Sequence, residues 1–401
     1  MKVIGVIFTL AVLGAGIAGA VYFLGQSSFS QVETEGTVAV VNEAAEQATS
    51  IDGEEDESGQ EGAETEEADS GEETTTDLVV DTHMHIFPYV RAAGKDIKGA
   101  VANMLDTLDT QGVDRAMLMT VPSKVGQSTE ADEQDTVAAA SISDRLYYMG
   151  GGSVLGVMMQ ETDPADVTDE VKQEFRDKAV AILDDGAVGF GEMLLMHLCL
   201  TSTHSYQYVS PTHPLFLELA DIAAEYDVPI EVHMEAVLED KPMLENLTRA
   251  CAENPETMLG TINDFKELLA HNPDTRIVWQ HIGWDNVGDM TIPLLRELMT
   301  ENTNLYLSLK VEARPVQVQT RISMPNRLID EQGNLRQQWI DLFEDYTNRF
   351  MIGADEFIPA TGADGPGAPS FGQTWSMANQ LPDSVRSEII GENAARVYKL
   401  D

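Results

Sequence analysis

Four of the eight histidines in this 401-residue chain fall where metal chemistry is easiest to build. His83 and His85 stand at i and i+2 just after the apolar run Leu78-Val79-Val80-Asp81. Side chains two apart on a strand share a face, so the two imidazoles project together, roughly 6–7 Å apart along the chain. That spacing lets two neutral imidazoles grip one metal ion; the bland alternative is a pair of surface histidines beyond a strand end. His233 follows Pro229-Ile230-Glu231-Val232, and His281 follows Ile277-Val278-Trp279-Gln280. Two carboxylates stand in comparable places, Glu192 within Val188-Gly189-Phe190-Gly191-Glu192-Met193 and Asp355 after Phe350-Met351-Ile352-Gly353-Ala354. Imidazoles and carboxylates in this number form a ligand set for a divalent cation, most suitably Zn²⁺ because nitrogen predominates. A cation of that kind lowers the pKa of a coordinated water towards ~7.

Gathering donors this far apart in sequence requires a fold that brings strand ends together. Short apolar runs recur at Leu78–Asp81, Ala116–Val121, Val154–Met159, Val188–Leu194, Ile230–His233, Ile277–Gln280, Leu305–Leu309 and Phe350–Gly353. Each is nearly continuous in apolar character, as a strand buried on both faces must be. Amphipathic stretches lie between them. Val101, Met104, Leu105 and Leu108 follow helical spacing with Gly112 as a stop; Pro214 opens a helix bearing Leu215, Leu219 and Ile222. Ile262, Phe265, Leu268 and Leu269 mark a third helix, and Ile292, Leu295, Leu298 and Met299 a fourth. Eight strands alternating with helices predict an α/β fold, a (β/α)8 TIM barrel with insertions after strands 4 and 7, at about 195–213 and 311–335. The rival, a doubly wound open sheet, lacks a Gly-x-Gly-x-x-Gly after any strand. In the barrel, strand C-terminal ends converge on one site.

The order His-x-His, a strand-4 ligand, His, His and a final Asp resembles the amidohydrolase superfamily. His213-Pro214-Leu215-Phe216, Gly353-Ala354-Asp355 and the tail Ile389-Ile390-Gly391-Glu392-Asn393-Ala394-Ala395-Arg396-Val397 resemble its amidohydrolase-related branch. The likeness spans about 78–399, and its motifs are specific together though weak singly. It implies a metal-dependent hydrolase that turns an activated water on an amide, ester or lactone of a small-molecule substrate. His83, His85, His233 and Asp355 would hold one ion, with Asp355 also taking a proton from the water. His281 would orient or polarise the substrate or ligate a second ion. Many relatives carry a carboxylated lysine at the Glu192 position, bridging two ions, and others carry Glu. One or two ions therefore both fit, and a salt-bridged structural carboxylate is the plain alternative for Glu192. Relatives of the same branch include non-oxidative decarboxylases of small carboxylic acids with a similar ligand set, so decarboxylation is the alternative activity. A non-catalytic binding barrel is a third class, against which the intact ligand set argues.

Weaker candidates surround these. Glu231 and Glu235 flank His233 on its own face, Glu235 as a support for the ligands and Glu231 as a deeper pair partner. Lys310, at the end of strand 7, meets an anionic substrate group or is simply solvated. His197, His204 and His213 belong to the strand-4 insertion, with surface roles the plain reading. Trp284 and Asp285 could wall the site, Trp279 fits packing, and His271 suits a helix C-terminus. Arg314 and Arg321 could read a carboxylate.

The formal net charge is −44, with 17 acidic and no basic residues between 32 and 77. So acidic a surface argues against nucleic acid and against anionic membranes as partners. It suits high ionic strength or ordinary solubility. Residues 1–24 carry an apolar run behind Lys2 that reads as a retained transmembrane helix or a cleaved signal peptide. Residues 25–77 read as a disordered acidic linker and 78–401 as the catalytic barrel. The protein is expected outside the cytoplasm, membrane-anchored facing outward or periplasmic or secreted, touching the membrane only through its N-terminal segment. Homo-oligomerisation is open. Cys199 and Cys251, far apart in sequence, are expected as two free thiols.

Overall fold

A computed structural model describes residues 77–400 apart from 91–93, 124–125, 127–129, 201–204, 312–325, 364–367 and 369. The expected N-terminal helix and nearly all of the acidic linker lie outside the described residues. Among the described residues no helix is long and apolar enough to cross a membrane.

Eight parallel strands form a closed ring: β1 (Val80–Phe87), β2 (Arg115–Met119), β3 (Leu146–Gly151), β4 (Phe190–His197), β5 (Ile230–Met234), β6 (Ile277–Ile282), β7 (Leu305–Leu309) and β8 (Phe350–Ile352). They neighbour one another in chain order, and β8 returns to β1 with Ile352 opposite Asp81, which closes the barrel. Helices follow the strands, including α1 (Ile97–Gln111), α2 (Glu130–Ala140), α3 (Asp169–Asp184), α4 (Pro214–Tyr226), α5 (Ile262–His271), α6 (Ile292–Glu301) and α7 (Gln337–Asp345). The expected (β/α)8 architecture is therefore the observed one.

Local chemistry explains the helix limits. Asp96 caps α1 by accepting from the Gly99 N–H at 2.9 Å, and Gly112 ends it in the left-handed region at φ +67°. Pro214 takes the first turn of α4, where its missing N–H costs nothing. Val101, Met104 and Leu108 of α1, like Phe265, Leu268 and Leu269 of α5, are buried against the strands. A second buried cluster joins Val80, Met117, Met119, Met149, Val278 and Met351 of the ring to Ala394, Val397 and Tyr398 of the C-terminal helix Asn393–Tyr398.

Three expectations need correction. The run Val154–Met159 is not the third strand; it lies largely in a short helix, Leu155–Glu161, and β3 is the preceding Leu-Tyr-Tyr-Met-Gly-Gly. A largely buried apolar run this short satisfies either geometry, and pairing of Ala116–Met119 with Leu146–Met149 decides it. His83 and His85 lie within β1, which runs on to Phe87, and not beyond its end. Cys199 and Cys251 are not free: they form a disulfide, with Cα atoms 5.7 Å apart. The Asn254 side chain bonds both the N–H and the C=O of Cys199, each at 2.9 Å, drawing the segment after helix Glu245–Ala250 onto the one that leaves β4. A sequence separation of 52 gives no sign of that closure.

The insertion after β4 begins as more strand: β4 extends to His197, and Gln207–Tyr208 pairs back on it antiparallel. Only the ends of the insertion after β7 are described, with Ile329 bridging Leu335.

Candidate metal centre

β1 supplies the first pair. The Nε2 atoms of His83 and His85 lie 3.0 Å apart. The Met119 carbonyl on β2 is 3.0 Å from His85 Nδ1, which places the ring's proton there and turns the Nε2 lone pair into the barrel. Phe357 stacks on the same ring at 4.5 Å between centroids. Burial drives His83 down to about 3 against the pull of Glu192 and Asp355, so it is a neutral imidazole at ordinary pH.

Asp355 arrives from β8 through a tight turn. Its N–H donates to the His83 carbonyl at 2.8 Å, and the Ala354 N–H donates to Asp81 at 3.1 Å. The turn places Asp355 at φ +51°, a region that costs a non-glycine residue about 1 kcal/mol or more. Gly353 is needed here because a Cβ would strike Ser308 Oγ and come within 2.9 Å of His83 Cβ. Asp355 Oδ1 then lies 3.5 Å from His83 Nε2 and 3.4 Å from His85 Nε2. Its Oδ2 accepts from the fully buried Lys310, whose ammonium also lies 4.2 Å over the Trp284 ring. Burial would raise the Asp355 pKa, but Lys310 and His281 hold it well below the usual carboxylate range.

Glu192 of β4 faces both ways. Oε2 is 3.8 Å from Nε2 of both His83 and His85. Oε1 is 2.6 Å from His233 Nδ1 and 2.9 Å from His281 Nε2. Burial opposes its ionisation, yet His233 and His83 hold it well below its ordinary value. His281, like Asp355, occupies the left-handed region, at φ +62°.

The residues fit a divalent cation. Ligand atoms held tetrahedrally at ~2.1 Å stand roughly 3.4 Å apart. Among His83 Nε2, His85 Nε2 and Asp355 Oδ1 the separations are 3.0 to 3.5 Å, close to that value, and Glu192 Oε2 is 3.8 Å from both imidazoles. Nδ1 of both His83 and His281 is buried without a hydrogen-bond partner among the described residues. Two donor groups emerge, His83, His85 and Asp355 in one and His83, Glu192 and His281 in the other, each with ligand atoms within 4.8 Å of one another. His233 faces the Glu192 oxygen turned away from the β1 pair, so the first group closes without it.

Support lies beneath and around. Glu231 accepts from Gln280 and Tyr398, sits 3.6 Å from His83 Nδ1, and is raised well above its ordinary pKa by burial, Glu192 and Asp81. It is the deep pair partner the sequence suggests. Glu235 is buried and lifted to about 7 by burial. Trp284 walls the site, while Asp285 is buried and ties its own loop, accepting from Val287 and Gly288 N–H groups. His197 packs 5.1 Å from the His233 ring and lines the cavity beside it. His213 instead caps α4, accepting from Leu215 N–H, and His271 pairs with Asp221 on the surface. Trp279 packs on Phe265 in the core. His204, Arg314 and Arg321 lie outside the described residues. Sequence reasoning missed Asp81, which accepts from Trp375 Nε1 and Ala354 N–H; its i−2 spacing from His83 was the available sign. It also missed Tyr398, Gln280 and Asn286, which carry no motif.

No protein-family profile and no curated protein matches the sequence. Among solved structures the chain is similar to amidohydrolase 2 from Bifidobacterium longum subsp. infantis, at 12% identity over 81% of this chain and 100% of that one, with a TM-score of 0.44. It is similar to 5-carboxyvanillate decarboxylase from Sphingomonas paucimobilis, at 12% identity over 81% and 100%, TM-score 0.42. It is also similar to N-acyl-D-glutamate deacylase from Bordetella bronchiseptica, solved with zinc and a phosphonate inhibitor, at 14% identity over 80% and 74%, TM-score 0.45. At such identities and scores these likenesses decide neither activity nor ligands, which rest on this chain's own residues.

Proposed function

We propose that the barrel is a metal-dependent hydrolase that directs a water onto an amide, ester or lactone bond of a small molecule. The observation that carries this is Glu192, whose two oxygens face two different histidine pairs, with Asp355 opposite. His83, His85 and Asp355 Oδ1 would hold one divalent ion; Glu192 and His281 would hold a second, with His233 against Glu192 Oε1. Zn²⁺ suits a set this rich in imidazole. Such ions would supply an acidified water and a polarised carbonyl. Asp355 Oδ2 accepts the proton of the attacking water. The Lys310 ammonium on that oxygen disfavours its staying, so it passes to the leaving group. His281 and Trp284 line the substrate side.

Decarboxylation is the alternative with a similar ligand set, and it must receive a carboxylate. Among the described residues Lys310 is committed to Asp355. An ester, lactone and amide panel on zinc-loaded protein tests the choice: cleavage supports it, and CO₂ release from an aromatic acid panel without any cleavage overturns it.

An exported location belongs to the same reading. The Cys199–Cys251 disulfide supports it, because such bonds persist in oxidising compartments. The apolar run within 1–24 would serve as anchor or signal.

A further inference from the structure

Beside the histidines lies a small cleft, partly open to solvent. Leu198, Leu200, Met234, Met290 and the Trp284 ring give it apolar walls. Two polar side chains of its lining are more than nine-tenths buried and incompletely bonded. Glu235 Oε1 accepts from Asn286 Nδ2 at 2.5 Å, and Asn286 Oδ1 in turn accepts from Trp284 Nε1 at 3.1 Å. This chain fixes the carboxylate plane and leaves Glu235 Oε2 without a partner among the described residues. Gln280 spends its Nε2 on Glu231, and its Oε1 likewise has no partner among the described residues. Gln280 Oε1 is an acceptor, and so is Glu235 Oε2 in the ionised carboxylate. Buried acceptors are ordinarily paired, and a pair left open in a cavity wall marks the place of a ligand that brings hydrogens.

We infer that Glu235 and Gln280 form a subsite for an N–H-bearing group of the substrate, a primary amide or an amine, carried on a small apolar body. This rests on the hydrolase reading for which bond is cut, but not for what binds. The acceptors select for donors, and the walls exclude bulky polar groups. A ligand whose nitrogen is fully alkylated would leave both acceptors open, and affinity would fall by about the worth of one such hydrogen bond, roughly 10- to 100-fold.

The test compares hexanamide with N,N-dimethylhexanamide by calorimetric titration of the zinc-loaded full chain, since both offer the same carbonyl to the metal side. Wild type should bind the primary amide about 10- to 100-fold more tightly. E235Q is the informative variant. Asn286 Nδ2 holds the oxygen of the new amide, which turns its NH₂ group into the cavity and replaces an acceptor with a donor. The preference should vanish in E235Q while zinc per chain is unchanged. Equal affinities in wild type, or a preference that survives in E235Q, overturns the subsite. The ester, lactone and amide panel decides the hydrolase reading separately, and the binding ratio decides the subsite whatever that panel shows. If E235Q does not fold, the wild-type ratio decides alone.

Discussion

Glu192 and Asp355 each divide their two oxygens between different neighbours, and that division determines what the site can do. Asp355 gives Oδ1 to the β1 imidazoles and Oδ2 to Lys310; Glu192 gives one oxygen to each histidine pair. The identities of these donors were legible in the sequence, because a strand-end His or Asp is a local feature. Their division was not, because it depends on which way a carboxylate turns. Lys310 shows the same limit: its place at a strand end was readable, while its burial against Trp284 and its hold on Asp355 were not. The K310M variant frees Asp355 to rotate, and a misplaced proton acceptor costs about 10- to 100-fold in kcat with KM little changed. Steady-state kinetics of the variant checks this; a rise in KM at constant kcat would instead make Lys310 a substrate-binding group.

Elements whose limits are written locally were legible. The left-handed Gly112 and the leading Pro214 each mark a boundary by their own backbone preference. β3 was not, since Val154–Met159 and Leu146–Gly151 are both short and buried, and only pairing with β2 separates them. The disulfide was invisible for a related reason: Cys199 and Cys251 are brought together by the turn of a whole βα unit. Closing a loop of 52 residues removes chain entropy from the unfolded state worth about 4 kcal/mol. The double variant C199S/C251S should therefore lose roughly that much stability in urea unfolding. An unchanged midpoint would show that the surrounding contacts, Asn254 above all, hold the segment alone.

The barrel itself was legible because its beat of eight buried strands is global and tolerates one misplaced strand. Charge is the other property of the whole chain that sequence alone supplies. Residues 78–401 carry a net charge near −28, and repulsion on that surface opposes the compact state. Raising salt from about 0.1 to 1 M shortens the screening length from ~10 to ~3 Å, which should raise the melting temperature by about 5 °C. A melting curve indifferent to salt would show that the acidic surface serves solubility only. The central claim is that β1, β4, β5, β6 and β8 bring six donors around shared divalent cations. Elemental analysis of zinc-reconstituted, desalted protein tests it most directly. Wild type should hold close to two zinc ions per chain and E192Q one or fewer. A wild-type chain that retains no zinc, or an E192Q chain that retains as much as wild type, would contradict it.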